Sequence, residues 1–320
     1  MVLVVTGASG HVGQEIVRQA SARGMRVLAV SRSGLPANDA RKDEPNVVWE
    51  ACDLSKGNDV YELARRHPIS ACIHGAAVSN EAYARPDPLA AVATNISATA
   101  SVLEAARRFD WRRVILISTG SVFQCRPDIA SPILEDEIPA PRNIYSTSKV
   151  AAEMLVRMYR TEFGASAASV RISWVYGPPV IADAPTRGPV PSYLLRAMRG
   201  NAIEETGADF AASFTYVGDV AAGLLAAATA DHLAYDVYHL GPSRNYRAIE
   251  VAEAVRKAVP TASFKLSGGT EPWTKYTLMR APLAGDRLKQ ETGFELAYTL
   301  EDGVAAYAEW MRGRRPLWAP

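Results

Sequence analysis

The segment that most restricts what this chain can fold into is Thr6-Gly7-Ala8-Ser9-Gly10-His11-Val12-Gly13. It follows a valine-rich run, Val2 to Val5, and opens His11 to Arg23, where Val12, Ile16, Val17 and Ala20 recur at helical spacing before Gly24. Strand, glycine turn and helix in that order form the first half of a strand-helix-strand unit, and Arg26 to Val30 supplies its second strand. Apolar runs at Val47 to Glu50, Ala71 to His74, Val114 to Ile117 and Ala168 to Ile172 then alternate with helical stretches around Asp59 to Arg66, Leu89 to Arg108 and Tyr145 to Glu162. Strands apolar enough to be buried on both faces, alternating with helices, predict an α/β fold with a doubly wound parallel sheet.

The texture changes after Tyr176, where Gly177-Pro178-Pro179, Pro185, Gly188, Pro189 and Pro191 mark a loop-rich passage. Residues 1–175 therefore read as one domain and 176–320 as mainly a smaller C-terminal lobe. Returns to the main body are expected near 214–241, from Phe214 to Val217, a helix Asp219 to Thr229 and a strand Val237 to Leu240. Helices at Ile249 to Ala258, Leu283 to Thr292 and Leu300 to Met311 complete the lobe.

With 320 residues, 48% apolar and 22% charged, the chain can bury a sizeable core, and its net charge of +1 provides no field for steering polyanions. Nucleic acid and anionic membrane are thus not expected partners. Cys52, Cys72 and Cys125 form no CxxC and have no histidine at ligand spacing, which argues against a metal and for a reducing, cytoplasmic setting. No basic leader precedes the first strand, and the most apolar long window, Val220 to Ala230, is far shorter than the ~20 residues of a membrane span. The carboxylates Glu135, Asp136 and Glu137 read as a solvated loop, and His74, ending a buried strand, reads as a packed residue.

The glycine turn has a chemical use. Gly7 permits the tight turn, Gly10 lets the backbone approach a pyrophosphate, and Gly13 allows close helix packing; Ser9, His11 and Val12 lie beside them at the helix N-terminus, whose free N–H groups suit phosphates. In its strand-turn-helix setting this GxxGxxG pattern predicts a Rossmann-type dinucleotide site. The second strand ends at Ser31-Arg32-Ser33 instead of an acid, a combination that favours a 2′-phosphate, so NADP is expected over NAD. Further on, Tyr145 stands four residues before Lys149, on one helix face, where an ammonium beside a phenol of pKa ~10 would favour the phenolate.

The TGASGHVG loop, Ser118-Thr119-Gly120-Ser121 and Tyr145xxxLys149, in this order, resemble the extended short-chain dehydrogenase/reductase family. Asp53-Leu54 resembles its adenine contact, Gly75-Ala76-Ala77 its fourth-strand loop and Asn95 its mid-helix asparagine. Arg171 with Val175-Tyr176-Gly177-Pro178, Thr215 to Val220 and Tyr238-His239-Leu240-Gly241 match later landmarks, so the likeness covers nearly the whole chain. It implies a catalytic triad of Thr119, Tyr145 and Lys149, a second role for Tyr145 and Lys149 beside the nicotinamide ribose, and a homodimer through the helices Leu89 to Arg108 and Tyr145 to Glu162.

Family members that dehydrate or decarboxylate nucleotide sugars carry acids directly after the catalytic threonine, where this chain has Gly120 and Ser121. The implied chemistry is therefore hydride transfer to or from a sugar-like carbonyl or alcohol, with an epimerase as the alternative and a non-catalytic dinucleotide sensor behind both. Arg171 to Tyr176 and Ile117 to Phe123 resemble the dTDP-4-dehydrorhamnose reductase branch, although the early glycine loop differs and Gln124 replaces a glycine. Ser79, Ser121 and Trp174 are the expected substrate contacts, with Trp174 offering its face to a sugar ring or filling the junction between lobes. Arg187, Arg244 and Arg280 are placed by sequence in the substrate lobe, where each has the chemistry to meet a phosphate or carboxylate.

Overall fold

The computed structural model describes residues 2–35 and 39–317. Six strands, β1 (Val2–Thr6), β2 (Arg26–Ser31), β3 (Val47–Ala51), β4 (Ile69–His74), β5 (Arg113–Thr119) and β6 (Ala167–Ile172), join strand Val237–Leu240 in one seven-stranded parallel sheet. From one edge the order is Val237–Leu240, β6, β5, β4, β1, β2, β3. The chain winds outward from β1 to β3, then restarts at β4 on the other side of β1. That reversal opens a crevice at the carboxyl ends of β1 and β4, where an open α/β sheet takes its ligand, and Thr6 and His74 face each other there in register.

One face of the sheet is covered by helices His11–Ala22 and Val217–Thr229, which pack on each other; the other is covered by Gly57–Arg66, Ala98–Arg108 and Ile144–Phe163. Every residue of β1 is buried, which is why that strand reads as an unbroken apolar run. A third core, around Tyr193, Phe210, Val251 and Tyr307, belongs to the C-terminal lobe.

Several local readings are corrected. The stretch Leu89 to Arg108 comprises Pro88–Val92, a π-turn Ala93–Ser97 and Ala98–Arg108, and the extra residue of the π-turn carries Asn95 into the interior. Among the described residues the run Pro88–Arg108, at 21 residues, is long and apolar enough to cross a membrane but is partly buried against the protein, while Val217–Thr229 is apolar and too short. The loop-rich passage contains helix Pro189–Met198, whose first position is Pro189, where a missing N–H costs nothing. Phe214–Tyr216 pairs with Trp174–Tyr176 outside the main sheet. Leu283 forms a bridge to Ile133, and the helix expected from it starts at Arg287. The acidic loop is not simply solvated: Glu135 is buried, Asp136 pairs with Arg287, and Glu137 with Arg126.

His74 lies between the hydroxyls of Thr6 (Nδ1 to Oγ1, 2.7 Å) and Thr99 (Nε2 to Oγ1, 3.2 Å), and burial lowers its pKa to about 3. Burial, with Arg171 close by, likewise lowers His239 to about 3. Below the ordinary histidine value of about 6.5 the unfolded chain binds protons that the folded chain refuses, so stability falls as pH drops from there. Urea unfolding at about pH 7 and about pH 5.5 should show a loss of about 2 kcal/mol from this pair; equal midpoints at the two pH values would mean that these imidazoles are not held neutral.

Candidate active site

A cleft of about 470 Å³ runs from the glycine loop to the C-terminal lobe. Gly7 holds φ +65°, and a Cβ there would lie 2.7 Å from the backbone of Gly75 and Ala76. A Cβ on Gly13 would stand 2.2 Å from the Gly7 carbonyl oxygen, so only glycine lets the helix seat this closely on the turn. The Gly10 N–H donates to the Gly7 carbonyl (2.9 Å), and helix His11–Ala22 begins at Gly10 with no side-chain cap, leaving N-terminal donors for an anion. Gly7, Ser9, Gly10, His11, Val12 and Gly13 all line the cleft. The His11 ring also bonds the Gly177 carbonyl (3.0 Å), tying the loop to the entrance of the second lobe, and burial lowers its pKa to about 4.

Gly75, Ala77 and Ser79 continue the wall. Ala76 does not line it; its amide donates to Thr6 Oγ1 at 3.2 Å. Asn95 is also away from the cleft: its carboxamide accepts from the Val78 amide (2.8 Å) and donates to Ser148 Oγ (2.8 Å), binding the β4 loop to the helix that carries Tyr145. Ser31 is buried and donates to the Gly34 carbonyl, Leu54 lies in the core, and Asp53 accepts from Ser55; none borders the cleft. Arg32 is exposed at the end of β2, with its guanidinium 3.3 Å from Thr94 Oγ1.

At the inner end, Thr119 closes β5 and its hydroxyl accepts from the Ser121 amide (3.1 Å) at the turn Gly120–Phe123. Tyr145 and Lys149 sit in the first turns of Ile144–Phe163, a helix started by a reciprocal cap between Asn143 and Ser146. The Glu81 carboxylate accepts the Tyr145 backbone N–H at 3.1 Å, a negative charge at a helix N-terminus. Thr119, Tyr145, Lys149, Ser121 and Trp174 all line the cleft. Trp174 has both expected roles available: it packs edge-on to Phe210 at 5.5 Å while also bordering the cleft.

The electrostatics differ from the expectation for the tyrosine. Burial raises the Tyr145 pKa, opposed by a hydrogen bond with Thr119 and by the charge of Arg280; Lys149 is not among the groups acting on the phenol. Burial lowers Lys149 to about 8, and Glu153, one further turn along the same helix face, opposes that fall. Glu153 is itself clamped by Arg171 through two bonds of 2.7 and 3.0 Å, and it accepts from Ser118 Oγ at 2.5 Å. The side chains of Arg171 and Glu153 are 3% and 6% exposed, so this is an interior ion pair. Among cleft residues, Glu81, Ser173 and Gln124 were not singled out as site residues from sequence, since each reaches the cleft only through tertiary packing.

The family model for the NAD dependent epimerase/dehydratase family matches residues 3–241. The chain belongs to that family. It is thus an enzyme of the extended short-chain dehydrogenase/reductase type. A dTDP-4-dehydro-6-deoxy-D-allose reductase from Streptomyces sp is 30% identical over 226 residues, 68% of this chain and 69% of that protein. A dTDP-glucose 4,6-dehydratase from Xanthomonas campestris pv. campestris (strain B100) is 25% identical over 96% of this chain and 92% of its own. The crystal structure of the UDP-glucose 4-epimerase of Thermus thermophilus in complex with NAD superposes with TM-score 0.83 at 23% identity, covering 98% and 99% of the two chains.

Replacing Glu153 by Gln should leave Arg171 buried without its partner, costing about 3–5 kcal/mol of stability. It also removes the charge that holds the Lys149 pKa up. The Lys149 ammonium should therefore lose its proton at lower pH in nitrogen NMR of the variant, and a stability loss with an unmoved Lys149 titration would show that Glu153 only packs.

Proposed function

We propose that this family member is an NADP-preferring reductase that exchanges hydride with a sugar-like carbonyl, using Thr119, Tyr145 and Lys149. The observation that carries the reading is that these three side chains line the same cleft as a glycine cradle. The cradle fits a dinucleotide pyrophosphate, with Gly7, Gly10 and Gly13 giving backbone access and the helix N-terminus giving donors. The bound nicotinamide supplies hydride chemistry. The protein's own part is to position and to move a proton: Thr119 orients the substrate oxygen, Tyr145 gives or takes its proton, Lys149 contacts the nicotinamide ribose, and the charge acting on the phenol is that of Arg280.

Gly120 and Ser121 leave no acid after Thr119 for a dehydration, and the similarity to a nucleotide-sugar reductase supports a substrate of that class. Arg32, exposed beyond β2 with no acidic residue beside it in sequence, supports the 2′-phosphate of NADP. An epimerase that oxidises and re-reduces one sugar carbon is the second reading, favoured by the structural likeness to the 4-epimerase. The exposed apolar side chains Leu89, Val92, Met154 and Met158 on the two helices named above support a homodimer through that face.

With NADPH and a panel of keto nucleotide sugars, absorbance in the near-ultraviolet band of the reduced nicotinamide should fall in proportion to product. Tyr145→Phe should lower turnover about 10²–10⁴-fold while leaving dinucleotide affinity intact. Turnover without net loss of NADPH would favour the epimerase, and full activity in Tyr145→Phe would end the catalytic assignment. For the cofactor, Arg32→Ala should raise the KM for NADPH about tenfold or more, the loss of one charge-assisted contact, and leave that for NADH unchanged; equal effects on both would remove the 2′-phosphate contact.

A further inference from the structure

Arg280 is a buried cation in the cleft with no counter-charge among the described residues. It is 9% exposed, its backbone carbonyl is held by the Asn245 carboxamide at 2.7 Å, and its guanidinium Nη2 lies 3.4 Å from Ser173 Oγ. No carboxylate among the described residues lies within ion-pair distance of it, and the single carboxylate lining the cleft, Glu81, is engaged with the Tyr145 amide. A guanidinium taken out of water without a partner costs several kcal/mol, which an anionic ligand offsets.

The location says which part of a ligand that is. The guanidinium lies over Gly120, the residue after Thr119, so that a Cβ there would be 3.0 Å from Nε and 3.3 Å from Nη2. It acts electrostatically on the Tyr145 phenol, and its own pKa is lowered to about 10 by burial. The glycine cradle for the dinucleotide phosphates is elsewhere in the cleft, where Arg187 is the cation that acts on His11. Arg280 therefore faces the reacting end. Directly after Thr119 this chain has a glycine with an arginine folded over it, so the local charge there is positive.

We infer that Arg280 and Ser173 form a carboxylate site, and that the substrate is an acidic sugar, carrying its carboxylate beside the carbon that exchanges hydride. The planar fork accepts a carboxylate through two parallel N–H bonds, which fixes the direction of the sugar as well as its charge. Gly120 is part of the same device, since even a Cβ there would press against the guanidinium. The inference rests on the reading of the cleft given above, but its test is a binding measurement that needs no turnover.

Calorimetric titration of the protein loaded with NADP⁺ would use two matched pairs, UDP-glucuronate with UDP-glucose and D-glucuronate with D-glucose. Each pair differs only by a carboxylate in place of a hydroxymethyl group. The wild type should bind the acid of each pair about tenfold or more tightly than its neutral partner, as a charge-assisted bidentate contact implies. Arg280→Met should abolish that preference with NADP⁺ affinity unchanged, and Arg280→Lys, which keeps charge and loses the fork, should retain part of it and serves if the first variant does not fold. No acid preference in the wild type would overturn the inference. So would an equal loss of affinity for UDP-glucuronate and UDP-glucose in Arg280→Met, which would assign the arginine to the diphosphate. Failure of the reductase reading would instead appear as full turnover in Tyr145→Phe.

Discussion

The organisation of the cleft depends on the interior ion pair between Glu153 and Arg171. It joins the helix bearing Tyr145 and Lys149 to β6, and through Ser118 it reaches the end of β5 where Thr119 sits. Two charges removed from water are tolerated only when their remaining valences are satisfied. Here Glu153 accepts from Ser118 as well as Arg171, and Arg171 lies over the Phe123 ring and beside the His239 imidazole. Lys149 is the third charge in this interior row, and Glu153 supports its ammonium across one helical turn. The pair thus fixes the helix that carries Tyr145 and Lys149 and supplies negative charge beside the Lys149 ammonium.

A second constraint works at the switch point of the sheet. The Thr6 hydroxyl accepts from the amides of Gly75 and Ala76, at 3.1 and 3.2 Å, and bonds His74. This locks the loop after β4 against the glycine turn, whose close packing leaves no room for side chains at Gly7 or Gly13. Asn95 extends the lock to the helix of Tyr145 through Val78 and Ser148. The glycine turn and the helix of Tyr145 are therefore held in fixed relation by polar contacts deep in the protein.

How much of this could be read in the sequence follows from the range of each interaction. The glycine turn was legible because strand, turn and helix are contiguous, and the shared place of Tyr145 and Lys149 on the cleft wall because i and i+4 lie on one helix face, whereas the expected effect of the ammonium on the phenol is absent. The helix Pro189–Met198 was hidden because its prolines and glycine also mark loops, and only the position of Pro189 at the first helical residue separates the two cases. Asn95 has its family position but holds backbone and Ser148 instead of bordering the cleft, a difference that rests on a π-turn no periodicity reveals. Arg280 could be suspected from its lobe, but its place over Gly120 and near Tyr145 depends on a fold that brings distant segments together. The burial of Glu135 in a run of three acids escaped for the same reason.

At the centre of this arrangement is a buried lysine whose pKa is lowered by burial and raised by Glu153. Nitrogen NMR of lysine side chains, with Lys149 assigned by comparison with Lys149→Met, measures this in the whole protein without a substrate. The Lys149 ammonium should titrate at about 8, well below the ordinary lysine value. A titration at the ordinary value of about 10.4 would show that the ammonium is solvated, and the interior charge row proposed to order this cleft would not stand.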